Sequence, residues 1–228
     1  MTPDPSAANT WFATARPVDR LEAEICFLIQ PRFYFGPDRP AVPADLQRLT
    51  VSLSPPDVPR AVPSKVRTSE AVGHEAQLLA YYEQIVRLAR EHRLPFNAIR
   101  HCFWLRFWLW NEAQDIRVSF PWYDSFSEID RFMTAVSDGR SGLLDHDLDQ
   151  GWEMEVHGDG DRLFIREGDP DGDEAHLAIS VPRDALVQVL TALRARAVQV
   201  IGRLSDGLGA DVWTSYVKGE PAFRVSPG

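Results

Sequence analysis

Three short apolar runs in the third quarter of the chain are separated by turns too short to carry a parallel crossover, and this limits the fold more than any other feature. Trp152, Met154 and Val156 alternate with Glu153, Glu155 and His157; Leu163-Phe164-Ile165 and Leu177-Ala178-Ile179 follow. Gly158-Asp159-Gly160-Asp161 and Gly168-Asp169-Pro170-Asp171-Gly172-Asp173 separate them. Parallel strands need a connection of about a dozen residues or more, so turns of this length and composition force antiparallel neighbours. The segment predicts a three-stranded meander.

The flanking regions supply other elements. Residues 1–63 hold 11 of the 17 prolines, each of which removes a backbone donor, so long regular elements are excluded there. Within that region Ile25 to Ile29 and Leu49 to Leu53 are strand candidates. The spacing of Leu78, Tyr82, Ile85 and Ala89 predicts a helix over 69–93, capped by Ser69. Cys102 to Trp110 and Ile116 to Trp122 predict a hairpin. Ser125-Phe126-Ser127-Glu128 has the form of a capping box opening a second helix that Asp138-Gly139 ends. After Pro182, Leu186, Val189, Leu190, Leu193, Ala197, Val200, Ile201 and Leu204 form one apolar stripe of a third helix, with Gly207 as its stop, and the tail from Val212 to Val225 offers one or two edge strands. This order predicts an α+β fold, a mostly antiparallel sheet with three main helices packed on it and a Pro-rich N-terminal region. The 228 residues are expected to form a single domain, with 1–66 a Pro-rich arm containing one or two strands.

Export and membrane insertion are not expected. Met1 to Arg20 has neither a basic n-region nor an apolar h-region, and the longest apolar stretch, Cys102 to Trp110, is interrupted by Arg106 and far shorter than the ~20 residues of a spanning helix. A cytoplasmic location follows as the expectation. Cys26 and Cys102 match no metal or redox spacing and are expected to be reduced, buried thiols. The cations are 22 Arg and only Lys65 and Lys218 as lysines, which we attribute to genome composition.

Charge is concentrated. The net charge is −9, and residues 138–174 carry 13 Asp/Glu against three Arg, so that segment holds −10 and the rest of the chain +1. Such a field repels nucleic acid and attracts basic partners or cations. Asp145-His146-Asp147-Leu148-Asp149 and Asp169-Pro170-Asp171-Gly172-Asp173 have the opening of a calcium loop, yet the turn glycine is replaced by Gln150 or Glu174 and the twelfth-position Glu by Val156 or Ser180. These stretches are therefore taken as acidic turns. His146, His157 and His176, with Asp145, Asp147 and Glu155, have the chemistry of a transition-metal site but no metal-ligand spacing, so surface histidines are the simpler expectation. On a strand, Trp104, Arg106, Trp108 and Trp110 share one face and Phe103, Leu105, Phe107 and Leu109 the other; the first face is either covered or an aromatic groove with Arg106 held between indoles.

No nucleophile elbow, phosphate loop, dinucleotide fingerprint, zinc-protease helix or paired Cys-x-x-Cys is present. His101 and Cys102, adjacent on an expected strand, point to opposite faces and so form no nucleophile–base pair. The leading expectation is a non-enzymatic protein-binding module, of the kind of a bacterial immunity or antitoxin-like protein that neutralises a basic effector such as a nuclease through an acidic surface. Its candidate contacts are Asp145, Asp147, Asp149, Glu153, Glu155, Asp159, Asp161, Asp169, Asp171, Asp173, Glu174, Trp104, Arg106 and Trp108. No catalytic residue, metal ligand or cofactor is assigned, and no nucleic-acid partner is expected. Two alternatives stand beside it: a divalent-metal hydrolase or transferase using Asp145, His146 and Asp147, and a structural protein that self-associates through the Trp-rich strand.

Overall fold

The computed structural model describes residues 10–37, 43–120, 125–149, 151–169 and 175–224, and its elements follow the apolar periodicities closely. In chain order they are β1 (Arg16–Pro17), β2 (Glu22–Leu28), β3 (Arg32–Tyr34), α1 (Pro43–Arg48), β4 (Thr50–Ser52), β5 (Lys65–Arg67), α2 (Thr68–Ala71), α3 (Glu75–Glu91) and α4 (Phe96–Ile99). There follow β6 (Leu105–Asn111), β7 (Ile116–Ser119), α5 (Phe126–Ser137), β8 (Gly142–Asp149), β9 (Trp152–Asp159), β10 (Arg162–Gly168), β11 (Ala175–Pro182) and α6 (Arg183–Leu208). Helices and largely antiparallel sheets are mixed along the chain, as an α+β fold requires.

Two compact units form. The first draws on the described residues of Met1–Ala23, Trp108–Phe120 and Ile129–Arg194 and the second on those of Glu24–Phe107, Pro121–Glu128 and Ala195–Gly228. The first unit contains a five-stranded sheet in the order β1-β11-β10-β9-β8. Its β8 to β11 make a consecutive antiparallel meander, and the two-residue β1 adds in parallel to β11. The meander thus has one strand more than expected: Asp145 to Asp149, taken from sequence as an acidic turn, extends as β8 and pairs with β9. One sheet face is core. Met154 and Val156 of β9, Leu163 and Ile165 of β10, and Ile179 and Val181 of β11 are fully buried there. On the opposite face a 3₁₀ turn at Thr10–Thr14 lays Phe12 flat on Phe164, with ring centroids 4.1 Å apart, and sets Trp11 edge-on to the same ring. Gly158 is required where it stands, because a Cβ there would meet the Arg183 guanidinium that donates to the Arg140 carbonyl at 2.7 Å.

In the second unit Phe27, Tyr82, Phe103 and Trp213 form an aromatic cluster with ring centroids 5.1 to 6.5 Å apart, all four side chains fully buried. A polar cluster is buried beside β2. Arg196 of α6 donates to both Glu24 carboxylate oxygens at 3.2 Å and to Thr68 Oγ1 at 3.0 Å, and the Thr68 hydroxyl donates to Glu24. Strands β5, β2, β6 and β7 form a second sheet in that order, and β3 pairs with β4.

Several local expectations are corrected. The helix expected over 69–93 is two helices, because the chain turns at Gly73 with φ +82°, a left-handed conformation that glycine tolerates, and Ser69 lies inside α2 rather than capping it. The Glu70 carboxylate instead accepts from the Arg67 amide at 2.8 Å. At the start of α5 the Phe126 and Ser127 amides donate to the carbonyls of Trp213 and Thr214, at 2.7 and 2.8 Å, so the C-terminal segment takes up two of the amides that a helix start leaves without an intrahelical acceptor. That segment is irregular through residue 224, without the expected edge strands. The last helix passes Gly207 and ends at Leu208, where Gly209 takes φ +80°.

Among the described residues one helix, α6, is long and apolar enough to cross a membrane by length and composition alone. Its stripe of Leu186, Leu190, Leu193, Ala197, Val200, Ile201 and Leu204 is buried, and Arg194 and Arg203 on its other faces pair with Asp130 and Glu75, as in an amphipathic core helix.

Candidate functional site

The acidic segment folds into the end of the five-stranded sheet, and the strand register decides what each carboxylate faces. Residues opposite one another on neighbouring strands share a face. Asp145 lies opposite Val156 and Asp147 opposite Met154, so both aspartates extend the core face outward past its buried centre, where they are half-buried. His146 lies opposite Glu155 and Leu148 opposite Glu153, on the other face. Asp145, His146 and Asp147 therefore cannot converge on one ion from this strand, which is the arrangement the hydrolase or transferase alternative needs.

The outer face gathers a different set. His146 Nε2 lies 2.9 Å from Glu153 Oε1, and His157 Nε2 lies 3.5 Å from Glu155 Oε2. The His157 imidazole beside Glu155 holds that carboxyl below the usual carboxylate range against the opposing effect of burial, with Arg166 and His146 adding to it. His176, grouped with these histidines in the sequence reading, lies elsewhere, in a shallow depression with Asp115, Arg117, Glu167 and Leu177.

The remaining candidates are dispersed. Asp159 ends β9 and Asp161 lies in the turn to β10, both exposed, and Asp169 is half-buried after β10. Asp149 ends β8 opposite Trp152. Asp171, Asp173 and Glu174 lie outside the described residues. Trp104 precedes β6, while Arg106 and Trp108 lie on it, and all three are half-buried. The opposite set, Phe103, Leu105, Phe107 and Leu109, is fully buried, so the choice of core face follows the expected alternation. Part of the carboxylate charge is answered within the segment: Asp138 pairs with Arg140, whose backbone amide first and guanidinium next keep that carboxyl below its usual range.

Strand β8 is the terminal strand of its sheet, and β9 is its one strand neighbour among the described residues. It is eight residues long and has no Lys, Arg or Pro; the register shift between Leu143 and Asp145 and the two aspartates on its core face are the features that discourage pairing with a second copy of itself. Leu143 and Leu148 are 54% and 58% exposed on it. Sequence reasoning missed this edge because Asp-x-Asp-x-Asp has the composition of a turn; the signal available was the period-two alternation of Asp145, Asp147 and Asp149 with His146 and Leu148.

A cavity of about 940 Å³ in the second unit is bounded by Gln30, Arg32, Tyr34, Asn97, His101 and Cys102 among others. Cys102 sits in a 3₁₀ turn, Arg100–Phe103, rather than on a strand, which brings His101 Nε2 to 3.6 Å from its sulfur and overturns the opposite-face argument. Burial nonetheless pushes the Cys102 thiol up to about 12 and the His101 imidazole down, so the pair is a neutral thiol beside a neutral ring. Cys26 is likewise pushed up to about 12, by burial first and Glu24 next. Both thiols are expected to resist a thiol-specific reagent in the folded protein at neutral pH and to react when denaturant is added. Rapid labelling of either in native buffer would contradict this.

No protein-family model, curated protein or solved structure matches this chain.

Proposed function

We propose that this protein is a non-enzymatic binding module whose β8 edge receives an extended, basic segment of a partner protein, in the manner of an immunity or antitoxin-like protein that neutralises a basic effector. The observation that carries this reading is the edge itself. A long terminal strand offers a row of backbone donors and acceptors, and Leu143 and Leu148 add apolar contact. Asp145, Asp147 and Asp149 repeat along it, so a second copy of the same strand meets like charge while a strand carrying Lys or Arg meets opposite charge. The surrounding segment charge of −10 extends that preference outward and favours fast encounter with a cationic surface. A cytoplasmic address, expected from the sequence, belongs to the same proposal.

Self-association through the Trp-rich strand finds less support. Strand β6 lies between β2 and β7, so both of its backbone edges are already paired.

The test uses a soluble peptide of alternating Lys and Val, long enough to pair along β8, and measures its binding by fluorescence anisotropy. Binding is expected to weaken as salt shortens the screening length to ~10 Å at 0.1 M. It is also expected to weaken in the double variant Asp145→Asn, Asp147→Asn. Equal binding of a peptide with Glu in place of Lys, or indifference to that double variant, would overturn the proposal.

A further inference from the structure

We infer that His146, Glu153, Glu155 and His157 form a binding site for a divalent first-row transition ion, zinc being the reference case. The inference is independent of the edge-binding reading, because it concerns the outer face of β8 and β9 rather than their backbone edge. One ligand atom from each of His146, Glu153 and Glu155 lies within 4.8 Å of the others. Two ligands of one zinc ion, each about 2.0–2.2 Å from it, can be at most about 4.4 Å apart, so a small side-chain adjustment closes the set. Three strand positions of one face make this possible: His146 faces Glu155 across the β8–β9 pair, and Glu153 precedes Glu155 by two residues on β9.

The second observation is His157, the next residue on that face. Its side chain is only 7% exposed, and its Nε2 is buried without a hydrogen-bond partner while lying 3.5 Å from Glu155 Oε2. That geometry falls short of a hydrogen bond, and a metal ion bound to the imidazole lone pair would satisfy the buried nitrogen. Trp11 and Phe12 pack edge-on against the ring, at 5.9 and 5.4 Å between centroids, and keep water from it. Two imidazoles with two carboxylates are the donor set of zinc and its neighbours; calcium and magnesium favour oxygen alone. Arg166, opposite Glu155 on β10, is the cation that faces the cluster and offsets its carboxylate charge when no ion is bound.

The experiment titrates Zn²⁺ into the chelator-stripped full chain by calorimetry and records the visible absorption of the Co²⁺ form. One ion per chain is expected, with Co²⁺ bands of a mixed nitrogen and oxygen site. His146→Ala and Glu155→Gln should each weaken Zn²⁺ binding by at least about tenfold, the loss typical even of groups that only support a metal ligand. His146 is exposed, so its variant keeps the fold, which circular dichroism verifies. His176→Ala should leave affinity unchanged. Absence of uptake by wild type, or uptake that survives both His146→Ala and Glu155→Gln, would overturn the site.

Discussion

Trp213→Ala is expected to lower the unfolding free energy by about 3–5 kcal/mol, a loss comparable with much of the stability of an ordinary domain. Trp213 is fully buried in an otherwise irregular C-terminal segment, where its ring meets Phe27, Tyr82 and Phe103 at 6.2, 5.1 and 5.6 Å. Removing the indole deletes contacts with three aromatic rings at once and leaves a cavity that rigid neighbours close poorly. The effect extends to α5, because the Trp213 carbonyl accepts from the Phe126 amide at that helix's start. Denaturant unfolding followed by circular dichroism measures it. A shift below about 1 kcal/mol would mean that the segment is not part of the core.

Glu24→Ala is expected to be comparably damaging for a different reason. Glu24 is nearly fully buried on β2, where it accepts from Arg196, Thr68 and the Ile25 amide. Alanine would leave the buried Thr68 hydroxyl and the Arg196 guanidinium without their acceptor; breaking a fully buried pair from one side costs about 3–5 kcal/mol, and the 30% exposure of the Arg196 side chain sets the expected loss at the lower end. Glu24→Gln keeps one acceptor oxygen and should lose less. Adding Arg196→Ala to Glu24→Ala should recover part of the loss, since the stranded charge is then gone. If the double variant is as unstable as the two single losses added together, the cluster is not a coupled unit.

The α+β class was legible because its signals are local. Alternation at Trp152 to Val156 and helical spacing from Leu186 to Leu204 each lie within one element, and burial follows them at most positions; Trp152 and Val189 stay half-buried, and His157, expected as a surface histidine, is buried on the outer face. What the sequence concealed depends on contacts far apart in the chain. The carbonyls that receive the α5 amides come from Trp213 and Thr214, nearly ninety residues later. Glu24, Thr68 and Arg196 are unremarkable charged or polar residues until the fold places them together. The break at Gly73 was readable from the glycine itself, but the apolar spacing around it continued unbroken.

The candidate sites show the same division. The acidic residues were visible as composition, whereas their partition between two sheet faces required the β8–β9 register. That register separates Asp145 and Asp147 from His146 and joins His146 with Glu153 and Glu155, a grouping that spacing along the chain does not suggest.

The most direct test of the edge-binding account places a photo-activatable cross-linker at Leu148, exposed on β8, and irradiates the protein in lysate of its source cell. The account predicts a single dominant adduct with a basic protein, joined through an extended segment, that fades as salt rises and in the Asp145→Asn, Asp147→Asn variant. An adduct that is acidic, or one indifferent to both salt and those aspartates, would contradict it, as would the absence of any adduct.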